Sequence, residues 1–406
     1  METTMTNTTT EEQAARSAAA VTAEERRWLL PVYPHYAIEP VAGTGVMLTT
    51  RDGRELIDFY GGHAVALLGY GHPRLLAALD AQAATLFFQS NVVPLAVRAE
   101  AGRRLVEWGP EGLTKAFLVN SGAEANENAL RLAFRQPRNQ GRSRVVALEG
   151  AFHGRTAAAG ALTWGAQRWY GFPRAPFDVT FVPRGDLAAL EEALAAEGGA
   201  AALIVEPVQG QAGAYALGGE WLAAARELTR KSGTVLIFDE VQCGMGRSGH
   251  PFAAQAHGVT PDVLTTAKGL AGGFPAGAVL VSDELAAGLE AGDLGSTFGG
   301  GPLACALLVA TIDAIEGEGL LTRVRRLSAK IRAACRVGPV TDIQGEGFLL
   351  GLRTARPAKE VHAELIERGI FAGTSGDPHI VRLLPPLVLE DAHVDALAAA
   401  LAGIRP

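Results

Sequence analysis

Two residues near the middle of the chain could do covalent chemistry. Asp239 closes a short apolar run, Val235 to Phe238, and Lys268 follows a second, Val263 to Leu264, within Ala267-Lys268-Gly269. An acid at the end of one buried strand and an amine after the next suit a site for pyridoxal phosphate. The amine forms a Schiff base, and the carboxylate keeps the pyridine nitrogen protonated so that the ring accepts electrons. Spacing alone equally allows an Asp that caps a helix and a Lys on a solvated loop.

Other short motifs supply partners for such a group. Asn120-Ser121-Gly122-Ala123 follows one strand candidate and opens an amphipathic helix. Small residues there let backbone N–H groups approach an anion, and a helix N-terminus favours negative charge. An ordinary serine cap is the competing reading. Ala151-Phe152-His153-Gly154-Arg155-Thr156 offers an aromatic face for stacking and an arginine for clamping a carboxylate, or a packed Phe and a surface Arg. Glu206-Pro207-Val208-Gln209-Gly210-Gln211 places an acid and amides at a strand end, fit to hydrogen-bond a phenolic oxygen or to be a solvated turn. Thr297 sits in a glycine-rich stretch, Gly295-Ser296-Thr297-Phe298-Gly299-Gly300-Gly301, where it is placed to donate to a phosphate or to lie in a plain turn. Arg382 stands alone inside the apolar run Ile380-Val381-Arg382-Leu383-Leu384. A cation there faces water from a strand edge, or it wants an acid or a substrate carboxylate, because an unpaired buried charge is costly. The histidines show no metal-ligand spacing, so no metal is expected. His63 and His72 suit turns or packing, with His63 also placed to line a substrate entrance, and Cys243 lacks the basic partner of a nucleophile.

The elements that must hold these residues follow from periodicity. Strand candidates lie at 116–119, 145–148, 179–182, 203–205, 235–238 and 278–281, and helix candidates at 123–135, 187–196, 221–231 and 283–290. Strands that are apolar throughout and alternate with helices predict an α/β fold with a mostly parallel sheet covered on both faces. After Gly300 the pattern becomes α+β: helices at 302–317, 321–335, 359–368 and 390–402, with strands at 348–352 and 380–384. Arg51-Asp52-Gly53 between two β runs signals a hairpin in the segment 32–58, which is expected to pack with the C-terminal part. The expected organisation is a tail without order over 1–20, an N-terminal segment over 21–58, a large domain over 59–300 and a small domain over 301–406.

Composition bounds the class. The chain has 406 residues, 48% of them hydrophobic and 19% charged, with a formal net charge of −7. That balance points away from nucleic acid and anionic membranes as partners. The polar, Thr-rich start lacks the pattern of a signal peptide, and no apolar run reaches membrane-spanning length. Three scattered cysteines fit a reducing cytoplasm better than a disulfide framework.

Taken together, N-S-G-A-E-A-N-E-N-A-L, F-H-G-R-T, E-P-V-Q-G, F-D-E-V-Q-C-G-M-G-R-S-G, A-K-G-L-A-G-G-F-P and S-T-F-G-G-G-P-L-A resemble the class III aminotransferases in kind and in order. The resemblance runs from about residue 33 to 401. It implies the type I fold of pyridoxal phosphate enzymes, a large domain with a mostly parallel sheet plus a smaller α+β domain. Within that family the chain is most similar to the N-acylornithine aminotransferases of arginine biosynthesis. These move the δ-amino group of an N2-acetyl- or N2-succinylornithine to 2-oxoglutarate.

By matching motif, the resemblance implies Lys268 as the Schiff-base lysine and Asp239 as partner of the pyridine nitrogen. Phe152 and Val241 would flank the ring, with His153 and Glu206 beside the cofactor and Gln242 at its phenolic oxygen. Ser121, Gly122 and Ala123 would hold the phosphate. Thr297 would reach the phosphate in a partner subunit, which implies a homodimer with its site at the interface. Arg155 and Arg382 would bind substrate carboxylates, the latter the α-carboxylate of 2-oxoglutarate, with Tyr33 and Gln211 also at the substrate. Many relatives have Glu at Gln211, where it is thought to pair with the arginine that matches Arg382; Gln cannot supply that charge, which argues against free ornithine. Cys243 and Gly301 stand where relatives often have Thr and Asn. Other ω-amine donors remain open at this level, such as 4-aminobutyrate, N-succinyldiaminopimelate or a lysine-pathway substrate, as do an aminomutase or a non-catalytic relative.

Overall fold

The computed structural model describes residues 18–406. Its centre is a seven-stranded sheet in the spatial order Lys115–Val119, Gly277–Val281, Val263–Thr266, Val235–Asp239, Ala200–Val205, Arg144–Leu148 and Asp178–Val182. The pairings are parallel except at Gly277–Val281, which runs antiparallel to both its neighbours. Ala200–Val205, Val235–Asp239, Val263–Thr266 and Gly277–Val281 are buried along their whole length. Their unbroken apolar character has its cause in the two covered faces. Leu236 and Phe238 join one core cluster and Val235 and Ile237 the other, as the period of two requires.

Helices cover both faces. Gly122–Arg135 starts on Ser121, whose hydroxyl accepts the Glu124 N–H at 3.2 Å, while the Glu124 carboxylate reaches back to the Asn120 N–H at 2.9 Å. Two N–H groups that a helix start would otherwise leave unpaired are thereby satisfied. The buried side of this helix, Ala125, Ala129, Leu130, Leu132 and Ala133, packs in the same cluster as Val235 and Ile237. Gly219–Ser232 ends on Gly233 in the left-handed conformation, φ 69°.

The C-terminal part is an antiparallel sheet of Val340–Glu346, Leu349–Thr354, Ile380–Leu383 and Gly373–Thr374, with the helices Leu320–Ala334, Ala358–Glu367 and Asp391–Ala402. The expected hairpin is present, pairing Met47–Thr50 with Glu55–Asp58. Glu55–Asp58 in turn takes Ile370–Phe371 as a parallel neighbour, which ties the N-terminal segment to the C-terminal part.

Several boundaries differ from expectation. A helix, Ala18–Trp28, begins inside the stretch expected to lack order; residues 1–17 of that stretch lie outside the described residues. The helix expected over 283–290 ends at Ala286, because Gly288 takes φ 76° and breaks the helical path. Pro302–Gly317 packs against Pro73–Thr85 and Ala96–Trp108, helices of the segment expected to form the large domain.

Between the hairpin and the first large helix, Gly61, Gly62, His63 and Ala64 all have positive φ, from 53° to 66°. For His63 and Ala64 this is a costly conformation, of order 1 kcal/mol each. The buried Asp58 carboxylate holds the turn: Oδ1 accepts the N–H groups of Tyr60 and Gly61, each at 2.8 Å, and Oδ2 accepts the Tyr70 hydroxyl at 2.6 Å. A Cβ on Gly61 would lie 2.6 Å from the Leu384 carbonyl oxygen. Glycine is therefore required there both for its backbone angle and for its lack of a side chain.

Candidate active site

The carboxyl ends of the parallel strands meet along one edge of the sheet. Val119 leads to Ser121, Leu148 to Phe152, Val205 to Glu206 and Thr266 to Lys268, while Asp239 is itself a last strand residue. Ligands of open α/β sheets bind at this edge. The structure thus brings together residues up to 147 positions apart in sequence, from Ser121 to Lys268.

Asp239 is the most tightly held group of the cluster. Its Oδ2 accepts the Asn126 side-chain amide and His153 Nδ1, both at 2.7 Å, and its Oδ1 accepts the Val241 N–H at 3.1 Å. Asn126 also donates to the His153 carbonyl at 2.8 Å and accepts the Thr265 hydroxyl at 2.7 Å. Asp239 is 3% exposed, His153 2% and Asn126 1%. His153, placed by sequence among the cofactor contacts, stands here as a partner of Asp239, and its buried Nε2 has no hydrogen-bond partner among the described residues. Such an array fixes the orientation of the carboxylate and uses both of its oxygens as acceptors.

Lys268 opens the short helical turn Lys268–Ala271 with φ 49°, a left-handed conformation rare for a side chain of this size. Burial pushes its ammonium below the usual lysine range, while Asp239 and Glu206 oppose that fall. Glu206 is 5% exposed, and its Oε1 and Oε2 accept the N–H groups of Phe152 and Gly210 at 2.8 and 3.3 Å. Burial raises its carboxyl to about 7, against the pull of His153. A lysine nudged toward neutrality beside a fixed carboxylate is the arrangement that a nucleophilic amine needs.

Around this pair, Val241 lies directly against Gly122: a Cβ there would sit 2.7 Å from Val241 Cγ1. Gly277 is likewise pressed on the Ser121 carbonyl, 2.7 Å from where its Cβ would be. The loop Ser121-Gly122-Ala123 is therefore a backbone cradle at a helix N-terminus, with room only for small residues. Gln242 lies against Gly210, next to Glu206. Phe152 is partly buried above Glu206. These groups fit a flat, acidic-armed heterocycle: a cradle for its phosphate, an aromatic face, a fixed carboxylate and an amine.

Two arginines flank the cluster. Arg382 is 2% exposed; its Nε donates to the Thr374 carbonyl at 2.7 Å and its Nη1 to the Gly210 carbonyl at 3.1 Å. No carboxylate of the described residues forms an ion pair with it, and burial pushes its guanidinium down while Tyr60, Tyr36 and Glu206 pull it up. Arg155 is exposed, with its guanidinium carbon 4.4 Å from the Trp169 ring centroid and 6.0 Å from that of Phe152. Gln211 turns its side chain to solvent, and its carbonyl accepts the Gly376 N–H at 2.8 Å. Thr297 is exposed on a loop whose neighbours Phe298, Phe87 and Phe88 are 65%, 69% and 40% exposed. Tyr33 is 75% exposed among Arg26, Leu29, Val32 and His35, and a single chain does not bring it to the cluster.

Sequence reasoning did not single out Asn126, Tyr36, Tyr60 or Trp169. Asn126 had a usable signal, a polar residue on the inward face of the amphipathic helix after Ser121. Tyr36 and Tyr60 had none, since their position beside Arg382 depends on pairing across more than 300 residues. His63 faces the same region: its ring contacts the Tyr60 hydroxyl, and burial together with Arg382 and Lys268 lowers it to about 4.

Comparison with known proteins agrees with this geometry. Residues 32–404 match the family model described as Aminotransferase class-III. An acetylornithine aminotransferase of Streptomyces coelicolor is 42% identical over 373 residues, 90% of each chain. One of Mesorhizobium japonicum is 40% identical over 396 residues, 92% of this chain and 96% of the relative. Among solved structures, the ornithine aminotransferase of Toxoplasma gondii, with partial occupancy of PLP at its active site, superposes with a TM-score of 0.88 at 30% identity, covering 97% of this chain and 95% of its own. The acetylornithine aminotransferase of Elizabethkingia anophelis gives 0.81 at 27% identity, covering 95% and 99%.

Proposed function

The chain belongs to the class-III aminotransferases, and on that premise we propose that it moves the δ-amino group of an N2-acylornithine to 2-oxoglutarate, with pyridoxal phosphate as cofactor, in arginine biosynthesis. The fold is the one shared by the pyridoxal phosphate aminotransferases it superposes on. The observation that carries the substrate reading is Arg382, a buried guanidinium that no carboxylate of the described residues pairs with, beside a solvent-facing Gln211. An arginine already paired with an internal carboxylate suits a donor with a free α-amine; an unpaired one stays open to the keto-acid carboxylate. The several acetylornithine aminotransferases at 36–42% identity support the same donor class.

Bound pyridoxal phosphate supplies an aldehyde carbon that takes up the amino group and a pyridinium ring that accepts the electron pair left when a proton departs. The side chains divide the remaining work. The N–H groups of Ser121, Gly122 and Ala123 would hold the phosphate at the helix N-terminus. Asp239, fixed by Asn126 and His153, keeps a proton on the ring nitrogen. Phe152 and Val241 would confine the ring, and Gln242 and Glu206 would hydrogen-bond its phenolic oxygen. Lys268 Nζ would hold the cofactor and would move the proton from the donor's δ-carbon. Arg155, stacked on Trp169, receives the donor carboxylate, and Arg382 the α-carboxylate of 2-oxoglutarate.

The protein acts as a homodimer in the cytoplasm in this reading. The apolar side chains around Thr297 support a partner surface there, since Phe87, Phe298 and Val92 are 65–90% exposed. Among the described residues no helix is long and apolar enough to cross a membrane. The test is the visible absorbance of the loaded protein, with N2-acetylornithine and N2-succinylornithine added in separate cuvettes. Bleaching by one of them identifies the donor. A cofactor band that neither bleaches refutes the acylornithine reading and leaves the cofactor in place.

A further inference from the structure

A second buried arginine lies outside the reacting groups and links the parts that carry them. Arg247 sits in the tight turn Gly244-Met245-Gly246-Arg247-Ser248-Gly249, which follows the strand of Asp239 and is wound through positive φ at Met245, Gly246 and Gly249. It is fully buried, 0% exposed. Its Nη1 donates to the Pro385 carbonyl and, at 3.5 Å, to that of Phe348; its Nη2 donates to the Ala64 carbonyl at 3.4 Å. Its own carbonyl accepts the Phe348 N–H at 2.8 Å. Its Nε has no protein partner, and no carboxylate of the described residues forms an ion pair with it. The Asp58 carboxylate attracts it from a distance but is occupied by Tyr60, Gly61 and Tyr70. A buried cation whose acceptors are neutral carbonyls is a poor source of stability.

What those carbonyls share is their place. Ala64 ends the left-handed turn that carries His63. Pro385 lies three residues beyond Arg382, and between them Leu384 donates to the Phe59 carbonyl at 2.6 Å, while its own carbonyl lies against Gly61. Phe348 opens the strand Leu349–Thr354, which pairs with the strand of Arg382 at Gly351↔Arg382. Three separate routes therefore run from Arg247 to the backbone on either side of Arg382, and Arg247 itself is anchored next to the strand that ends in Asp239.

We propose that Arg247 is a positioning residue that sets where Arg382 stands relative to Lys268, and so determines the enzyme's grip on the keto-acid carboxylate. This rests on the reading of Arg382 as the keto-acid site. Arg247 touches no reacting atom; it acts through the strand Ile380–Leu383 and its continuation to Pro385.

The test uses Arg247→Met and Arg247→Lys in the holoenzyme. The donor half-reaction is read as bleaching of the cofactor band by N2-acetylornithine. The acceptor half-reaction is read separately, as recovery of the band when protein loaded with pyridoxamine phosphate meets 2-oxoglutarate. A guanidinium displaced by a fraction of an ångström to one ångström raises the 2-oxoglutarate concentration needed for half-maximal recovery about tenfold or more. The donor half-reaction changes by about threefold or less. Arg247→Lys, with a point charge in place of the fork, falls between the wild type and Arg247→Met. Equal losses in both half-reactions, or no change in either, overturn the proposal. Should Arg247→Met not fold, as judged by thermal unfolding, Arg247→Lys decides on the same criterion. A wild-type protein that does not respond to 2-oxoglutarate at all refutes the reading of Arg382 instead.

Discussion

Arg382→Met separates a binding group from a structural one. In the protein as it stands, the guanidinium spends Nε on Thr374 and Nη1 on Gly210, and no hydrogen bond joins Nη2 to the described residues. A substrate carboxylate that meets this edge gains up to two charge-assisted hydrogen bonds of about 1.5–3 kcal/mol each. Loss of both therefore lowers kcat/KM for 2-oxoglutarate by about 10²–10⁴-fold. The effect on folding has the opposite tendency. Methionine leaves two carbonyls short of a donor but relieves a buried charge of its desolvation, and in such exchanges the balance is near neutral or favourable by about 1–4 kcal/mol. The expected result is a protein whose thermal midpoint is unchanged or higher and which bleaches with donor far better than it recovers with 2-oxoglutarate. The assays are stopped-flow absorbance of the two half-reactions and thermal unfolding of the same preparations. A midpoint lowered by many degrees with acceptor kinetics intact would falsify the reasoning, because Arg382 would then be holding the sheet and not the substrate.

Three further outcomes follow from the geometry. Gly122→Val places branched carbons where Val241 already lies 2.7 Å from a Cβ, so pyridoxal phosphate affinity, measured by equilibrium dialysis, falls at least about tenfold with the fold retained; unchanged affinity would mean that the phosphate is held elsewhere. Asn126→Ala removes one of the donors to Asp239 and strands the Thr265 hydroxyl, for a loss of about 2–4 kcal/mol in urea unfolding and a slower proton-transfer step; a neutral effect on both would count against the array. The carboxyl of Glu206 stands at about 7 in the folded chain against a usual 4.5. The folded state thus binds the extra proton, and this contribution to stability is complete below about 4.5 and is lost as the pH rises through about 7. Glu206→Gln, followed by unfolding between pH 4.5 and 8, should flatten that decline in part. Glu240, also raised to about 7 by burial, keeps its own share. An identical pH profile in the variant would show that Glu206 titrates normally.

The legible part of the sequence was the part written in local patterns. The six strand candidates of the large sheet are all strands, because residues covered on both faces must be apolar in unbroken runs. Lys268, Asp239 and Ser121 were legible for a similar reason: each is a polar residue at the end of such a run, where the strand delivers it to the sheet edge. The order of the strands was not legible, since nothing near Gly277–Val281 says that it lies between Lys115–Val119 and Val263–Thr266. Tyr36 and Tyr60 were missed on the same grounds, as their approach to Arg382 is a long-range contact. Tyr33, an aromatic residue placed by motif order, is left in solvent by the single chain. His153 was expected beside the cofactor through its motif; its inward turn to Asp239 was not legible, since successive residues leaving a strand point different ways.

The antiparallel strand Gly277–Val281 also sets a timetable for assembly. Within the sheet, it is the described strand that pairs both with the strand leading into the phosphate cradle and with the strand leading into Lys268. Its partner Lys115–Val119 is made about 160 residues earlier, and contacts of that separation close late in folding. On the ribosome, the cradle has no fixed place in the sheet until residues near 281 have emerged, by which point the other strands of the sheet can already pair. The capacity to take up pyridoxal phosphate therefore appears late and abruptly during synthesis. A set of nascent chains stalled on either side of Gly277–Val281, probed for cofactor fluorescence, would show the step at that strand.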